Sequence, residues 1–504
     1  MRAATPRSAR RRRRALALGA GVLLLAAGGY LARPLASLAP HLVTPAFAED
    51  GSGGGDGGGS GGDGGGSGGD GGGSGGDGSG GGDGGGSGSN SGKGNSGSGT
   101  STSGSDDGSA TTGAPATGTP VNGGTTDGNQ TGRSEGRDFA AGEVVVVGDR
   151  PSVLAQAEGL GFRLIDDRPL AALGLSVLRL KTPDNVNAEA GLALLHRAMP
   201  QLVADVNSFY EPYKAQAAQV VSLPAPDYAR RLIGWSGGSG CGAGLRIGMV
   251  DSGVDDDLPA LAGQKLHQRS FLEDATSPAG TEHGTAIASL LLGRPDPGHL
   301  DGAGLLPAAD LYAASIFERH GDRVEASAVG IAAALDWMVA EHVPVVNVSL
   351  SGDDNALMAL AVARASQRGT VIVAAAGNSG PGAPPAYPAA LGDVIAVTAV
   401  DQNQAILPEA NRGDYIAFAA PGVRIWTPDA NGLGEYRTGT SFAAPFAAAA
   451  IAAEHLAGTP ADPDELRRRL AARTIDLGAP GKDPVFGYGL IQTNGTCGAS
   501  ASAQ

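Results

Sequence analysis

The chain has 504 residues, of which 41% are hydrophobic, so it is long enough for two or three domains and a sizeable core. Its formal net charge of −15 at pH 7 argues against nucleic acid as a partner. The two cysteines, Cys241 and Cys497, form no CxxC pair and have no neighbours at zinc-ligand spacing, so we expect no metal centre built on cysteine.

Residues 1–48 have the features of an export signal. The positive run Arg10–Arg14 precedes an apolar run, Ala15–Ala32, and Ala46-Phe47-Ala48 has the small residues that a signal peptidase accepts. Because the apolar run also reaches the lower limit for a membrane span, an uncleaved anchor is the alternative. Both interpretations predict a secreted, periplasmic or envelope-anchored protein, in contact with a membrane only if the segment is not cleaved.

Residues 49–137 consist almost entirely of Gly, Ser, Asp, Thr and Asn, and GGGSGGD recurs at 57–63, 64–70 and 71–77. Calcium-binding β-rolls are also rich in Gly and Asp, but their nine-residue repeats contain an apolar residue that builds a core. The period here is seven and each repeat lacks an apolar residue. This composition predicts a disordered linker.

Residues 138–214 predict a small α+β domain. Strands are expected at Glu143–Val147, Phe162–Asp166, Leu175–Lys181 and Leu202–Tyr210, and helices at Pro151–Gly159 and Ala188–Ala198. The order βαββαβ is typical of a ferredoxin-like domain. Residues 215–240 lose this periodicity and predict a second linker.

Residues 241–498 alternate between apolar strands and helices, which predicts an α/β domain with a parallel sheet covered by helices on both faces. The predicted strands are Leu245–Val250, Leu311–Phe317, Val343–Leu350, Thr370–Ala376 and Val394–Val400. The predicted helices are Gly284–Leu292, Glu325–Glu341, Asn355–Arg368, Phe442–Leu456 and Pro463–Ala472. Functional residues are expected at the carboxyl ends of the strands.

Three polar residues lie at boundaries of these elements. Asp251 ends the first strand, His283 precedes a buried helix, and Ser441 precedes a long helix of small apolar residues. Each has an ordinary structural alternative, namely a turn aspartate, a helix-start histidine and a helix N-cap. Their occurrence together in the order Asp, His, Ser favours a catalytic set over three unrelated residues.

At these positions the sequence resembles the subtilisin-like serine endopeptidases, or subtilases. The resemblance rests on DSG at 251–253, HGT at 283–285, VVNVSLSG at 345–352, AAAGN at 374–378 and GTSFAAP at 439–445, and it extends to FGYGLI at 486–491. It implies a doubly wound subtilisin-like sheet and peptide-bond hydrolysis without a cofactor for the chemistry. Protein or peptide substrates are the implied partners.

The resemblance also implies roles for individual residues. Ser441 is the implied nucleophile, His283 its general base and Asp251 the residue that orients the imidazole. Asn378 resembles the side-chain donor of the family's oxyanion hole. The structural alternative for Asn378 is a turn asparagine after a strand.

Substrate-binding segments are implied at Leu350-Ser351-Gly352 and at Ala374–Gly377, which includes Ala375 and Gly377, as two extended edges that pair with the substrate backbone. Ala386, just before Tyr387-Pro388, is the expected floor of the main specificity pocket. An alanine there makes the pocket shallower than a glycine does, so we expect small or medium apolar side chains before the cleaved bond.

The upstream βαββαβ domain resembles the family's propeptide, which acts as an intramolecular inhibitor and is removed by self-cleavage, here expected between about Tyr213 and Pro224. Cys241 and Cys497 flank the catalytic domain and are candidates for a disulfide, two unrelated thiols being the alternative. A structural calcium ion is compatible with the family, but the acidic run Asp255–Asp257 is interpreted as a solvated surface.

Two other functions are compatible with parts of the sequence. One is a tethered binding or scaffold protein that keeps the fold without catalysis, although every residue of the expected catalytic set is present. The other is a surface protein organised by the Gly/Asp repeats, which requires repeats that fold.

Overall fold

The computed structural model describes residues 131–134, 137–212, 216–217, 223–273, 278–294, 304–428, 434–458 and 460–493. The predicted export signal, nearly all of the glycine-rich linker and Cys497 lie outside these residues. Within the described part of the chain, no helix has both the length and the apolar character that crossing a bilayer requires.

The N-terminal domain has the predicted βαββαβ order, preceded by a short strand that pairs with the first long one. Its elements are β1 (Thr131–Ser134), β2 (Arg137–Val147), α1 (Arg150–Ala157), β3 (Arg163–Leu170), β4 (Leu175–Lys181), α2 (Ala188–Ala198) and β5 (Val203–Pro212). The strands lie in the order β5-β2-β4-β3 and are antiparallel throughout, which is the arrangement expected of a ferredoxin-like domain.

Strand alternation joins this domain to the rest of the protein. Val144 and Val146 of β2 face the domain's own helices and pack in its core. Val145, between them, points to the opposite face and belongs to a core shared with the C-terminal domain. The N-terminal domain therefore buries one sheet face internally and the other against its neighbour.

The C-terminal domain contains the remaining elements. They are β6 (Gln216–Ala217), α3 (Tyr228–Leu232), β7 (Arg246–Asp251), β8 (Lys265–Ser270), α4 (Glu282–Leu292), β9 (Asp310–Ser315), β10 (Glu318–His320), β11 (Arg323–Ser327), α5 (Ala328–Ala340), β12 (Val345–Val348), β13 (Leu350–Ser351), α6 (Ala356–Gln367), β14 (Val371–Ala375), β15 (Val394–Val400), β16 (Ile416–Pro421), β17 (Ile425–Thr427), β18 (Glu435–Thr438), α7 (Thr440–Leu456) and α8 (Pro463–Ala471).

Seven of these strands form one parallel sheet in the order β16-β15-β14-β12-β7-β9-β8. The core on one face includes α4, α7 and α8, and the core on the other face includes α5 and α6. This confirms the predicted doubly wound α/β architecture. Helix α7, rich in alanine, lies directly against β12, β14, β15 and β16 because small side chains allow close approach.

The structure differs from the sequence prediction at residues 325–327, which belong to strand β11 (Arg323–Ser327) and not to the start of a helix. Helix α5 begins only at Ala328, where the Ser327 hydroxyl accepts a hydrogen bond from the Gly330 N–H at 3.0 Å and acts as the N-cap. The prediction also missed β8, an edge strand whose polar sequence KLHQRS lacks the apolar run of a buried strand.

Candidate active site

Asp251 occupies the last position of β7, at the carboxyl end of the parallel sheet, and is fully buried. Its Oδ1 accepts a hydrogen bond from the Ser252 N–H at 2.7 Å and lies 2.7 Å from Nδ1 of His283. Ser252 also accepts a bond from the Gly284 N–H at 2.8 Å through its hydroxyl, which ties the start of α4 to the end of β7. These contacts fix the imidazole relative to the carboxylate.

His283 bridges Asp251 and Ser441. Its Nε2 lies 3.1 Å from the Ser441 Oγ, and its side chain is 15% exposed. The three residues predicted from element boundaries are therefore joined in one hydrogen-bonded series.

Ser441 is not the helix cap that the alternative interpretation required. Helix α7 begins at Thr440, and the cap position is Gly439, which has no side chain that could cap the helix. Ser441 is the second helical residue, and its hydroxyl contacts His283. First-turn N–H groups have no intrahelical acceptor, so this helix end presents backbone donors beside the hydroxyl.

Asn378 follows β14 and faces the same helix end. Its Oδ1 accepts hydrogen bonds from the Thr440 N–H and from the Thr440 hydroxyl, each at 2.9 Å. Because a backbone N–H can only donate, the atom facing it is the amide oxygen, and this orients the NH₂ group. The Nδ2 atom is buried and has no hydrogen-bond partner among the described residues.

The space between Asn378 and Ser441 is kept open by a glycine. A Cβ built on Gly439 lies 3.2 Å from the Asn378 Nδ2 and 3.2 Å from the Ser441 Oγ. A methyl group at this position therefore fills the gap between the unpaired donor and the hydroxyl.

Phe442, one residue after Ser441, contacts the histidine. The two ring centroids are 5.4 Å apart with an interplanar angle of 55°, and Phe442 is fully buried. The aromatic ring forms one wall of the imidazole site, a role that the sequence alone did not indicate.

In the predicted edge Leu350-Ser351-Gly352, the first two residues are paired with the chain's own N-terminal domain. Strand β5 runs antiparallel to β13, with Pro212 opposite Leu350 and Glu211 opposite Ser351. The last residues of β5 thus lie along this edge as an extended segment.

Within the described residues, the second predicted edge, Ala374–Gly377, is not paired with the N-terminal domain. Strand β5 pairs with β11, through Tyr210 opposite Ala326, and not with Ala374–Gly377. Ala375 pairs inside the sheet with β15, the Gly377 N–H donates to the Thr440 hydroxyl at 3.2 Å, and the Gly377 carbonyl accepts from Asn411. The N–H and the carbonyl of Gly377 are therefore both hydrogen-bonded within the C-terminal domain. The substrate-binding role of Ala375 and Gly377 stays a prediction.

Tyr210 fills a pocket beside Gly352. The tyrosine is fully buried, its hydroxyl donates to the Asp353 carbonyl at 3.1 Å, and a Cβ on Gly352 lies only 2.4 Å from its ring. Gly352 in turn exchanges two hydrogen bonds of 3.0 Å with Tyr387, which places the buried Ala386 just behind this edge.

The chain approaches the Ser441 end of α7 again after β5. Strand β6 pairs antiparallel with β18, with Gln216 opposite Thr438. Thr438 lies three residues before Ser441. The chain thus pairs with two different strands, with β13 through residues 211–212 and with β18 through residues 216–217.

Buried charges gather where the two domains meet. Arg179 of β4 lies 3.0 Å from Glu143 and 3.2 Å from Glu273, and these residues line a cavity of about 30 Å³ that Glu325 also borders. Burial raises the pKa of Glu273, and it also raises the pKa of Glu325, against the opposing effect of nearby arginines.

The described residues include Cys241 but not Cys497, so the predictions about the cysteines and a metal ion are tested only in part. Cys241 is disulfide-bonded and buried. Cys497 lies outside the described residues, so the pairing stays a prediction. Across the described ranges no cluster of three or more His, Cys, Asp or Glu side chains suits a metal ion, and Asp256 and Asp257 are exposed.

Comparison with known proteins agrees with this geometry. Residues 242–489 match the model of the subtilase family. Thermitase from Thermoactinomyces vulgaris is 34% identical over 210 residues, which cover 41% of this chain and 73% of thermitase. The chain belongs to the subtilase family.

Other curated subtilases are matched over a smaller share of their length than thermitase is. Minor extracellular protease Epr from Bacillus subtilis (strain 168) is 32% identical over 267 residues, 52% of this chain and 40% of that protein. The chain spans between 40% and 66% of the length of three such curated relatives.

Solved structures support the subtilase fold. Fervidolysin from Fervidobacterium pennivorans, a keratinolytic enzyme related to subtilisin, superposes with a TM-score of 0.60 at 21% identity, over 74% of this chain and 63% of that one. A leader-peptide-processing serine protease from Staphylococcus aureus gives a TM-score of 0.55 at 14% identity, over 72% of this chain and all of the other.

Proposed function

We propose that this subtilase is an exported serine endopeptidase that hydrolyses peptide bonds through an acyl-enzyme on Ser441. The observation that carries the proposal is the continuous series from Asp251 through His283 to Ser441, with contacts of 2.7 Å and 3.1 Å. These distances lie within the reach needed for proton transfer.

In the proposed reaction, the Ser441 Oγ attacks the carbonyl carbon of the substrate while its proton moves to the His283 Nε2. Asp251 accepts a hydrogen bond from the Nδ1–H and stabilises the imidazolium. When the C–N bond breaks, His283 returns the proton to the leaving amine, and an ester to Ser441 remains. A water molecule then attacks the carbonyl carbon of this ester with the same help from His283, and the carboxylic acid product is released from Ser441. Each step uses side chains of this chain and no cofactor.

The oxyanion of this reaction is assigned to the gap beside Gly439. The Asn378 Nδ2, oriented by Thr440 and otherwise unpaired, donates one hydrogen bond there, and the backbone N–H of Ser441 donates another. Both donors are in place before the substrate arrives, so little reorganisation accompanies charge development.

The N-terminal domain is proposed to be an intramolecular inhibitor that the enzyme removes from itself. Residues 211–212 occupy the edge that an extended substrate needs, and residues 216–217 pair with β18 on the other flank. We assign the cleaved bond to the stretch between Pro212 and Gln216, at the start of the range predicted from the sequence. The preference for small or medium apolar residues before the bond remains a proposal.

A fluorophosphonate probe tests this function. The wild-type protein is expected to be labelled at Ser441, whereas Ser441→Ala and His283→Ala are not labelled. Ser366→Ala, which removes a serine on helix α6, serves as the matched control and retains labelling. Labelling that persists in Ser441→Ala contradicts the assignment, and a folded wild type that is never labelled indicates a silent scaffold.

A further inference from the structure

Successive side chains of strand β5, which pairs with β13 beside the site, point in two opposite directions. Tyr210 is buried in its pocket, and the next residue, Glu211, points to the opposite side because successive side chains alternate. There the Glu211 Oε1 lies 3.7 Å from the Arg323 Nη2, and the two side chains are 55% and 36% exposed.

Arg323 belongs to the catalytic domain, at the start of β11. In addition to Glu211, its guanidinium contacts Asp138 of the N-terminal domain and lies 3.4 Å from Glu325 of its own strand. Removal of the N-terminal domain takes away both Asp138 and Glu211. Within the described part of the chain, Glu325 is then the one carboxylate left beside this cation.

We propose that Arg323 is a specificity-determining residue that selects an acidic substrate residue at the position occupied by Glu211. The inference rests on the proposed peptidase function and names part of its substrate class. In a substrate that pairs with β13 in the register of β5, the residue opposite Ser351 directs its side chain toward Arg323. The guanidinium attracts a carboxylate there more strongly than it attracts an amide or an ammonium group.

The effect is expected to be modest because the pair is partly exposed. Ion pairs of this kind change an equilibrium by about two- to fivefold, and salt screens them. We therefore expect the self-processed enzyme to cleave a peptide with the sequence of residues 208–217 about two- to fivefold better, in kcat/KM, than the same peptide with Gln in place of Glu. A peptide with Lys should be cleaved less well again, and 1 M salt should reduce these differences.

The variant that tests the assignment is Arg323→Gln, which should reduce the Glu-to-Gln ratio of kcat/KM to about one. Arg319→Gln, on the same hairpin and exposed, removes an equal charge and should keep the ratio. Arg323→Lys should keep part of it, and serves as the second variant if Arg323→Gln does not mature.

The outcomes separate two failures. Equal cleavage of the Glu and Gln peptides by the wild type overturns the role of Arg323. The role is also overturned if Arg323→Gln retains the Glu-to-Gln ratio of kcat/KM, or if Arg319→Gln loses that ratio to the same extent. If the labelled wild-type enzyme cleaves none of the peptides, the proposed peptidase function has failed instead.

Discussion

The amide oxygen of Asn378 accepts two hydrogen bonds from one residue, Thr440, at 2.9 Å from its backbone nitrogen and 2.9 Å from its hydroxyl. Removing the hydroxyl with Thr440→Val leaves one bond and loosens the orientation of the NH₂ group. We expect kcat to fall by about two- to tenfold, the range for one net hydrogen bond, with KM little changed. Thr440→Ser keeps the hydroxyl and should retain activity. Equal loss in both variants argues against an orienting role.

Asn378 itself is expected to have a larger effect. Replacing it with leucine keeps the side-chain size but removes the donor, so kcat should fall by about 10²–10³, the usual consequence of losing one oxyanion donor. Steady-state peptide hydrolysis measures this fall. Asn403→Leu, at an exposed position, is the control. A variant at position 378 that retains full kcat excludes the proposed donor role.

Gly439 provides a steric test of the same gap. Gly439→Ala places a methyl group 3.2 Å from both the Asn378 Nδ2 and the Ser441 Oγ, where the oxyanion is proposed to form. We expect a loss of about 10²-fold or more in kcat/KM, comparable with removal of the donor. Gly382→Ala adds the same methyl group in open space and should behave as wild type. Normal hydrolysis by Gly439→Ala is incompatible with an oxyanion in this gap.

The buried carboxylate of Glu325 predicts a pH dependence of precursor stability. Burial raises its pKa above the ordinary 4.5, so the folded precursor binds this proton more tightly than the unfolded chain does. The resulting stabilisation is complete below the unfolded pKa and is lost as the pH rises through the folded value. Urea unfolding of a Ser441→Ala precursor should therefore show a loss of stability in this window that Glu325→Gln reduces.

Two further observations define the test of Glu325. The exposed Glu158→Gln should leave the pH profile unchanged. If Glu325→Gln has the same profile as its parent between pH 4.5 and neutrality, the carboxylate is not the group responsible.

The sequence located the candidate site because its residues lie where local patterns change. Asp251 ends an apolar strand, and Ser441 opens a helix of small residues, so both could be placed without long-range information. The distances among them depend on the sheet order, which brings the end of β7 beside the start of α7. That proximity needed the structure.

Residues that act through long-range pairing were missed for a physical reason. Glu325 looked like an acidic residue in the first turn of a helix, but β11 forms as a strand that pairs with Tyr210, more than a hundred positions away. The orientation of Asn378 by Thr440 likewise joins segments distant in sequence. Local propensity contains no information about either contact.

The central claim is that Ser441 cleaves its own chain between Pro212, which pairs with β13, and Gln216, which pairs with β18. The measurement is the new N-terminus of the purified full-length precursor after incubation, by mass spectrometry, for wild type and for Ser441→Ala. We predict that the wild-type product begins between residues 213 and 216 and that Ser441→Ala stays intact. Cleavage in this stretch by purified Ser441→Ala, or labelled wild type that is never cut there, contradicts the account.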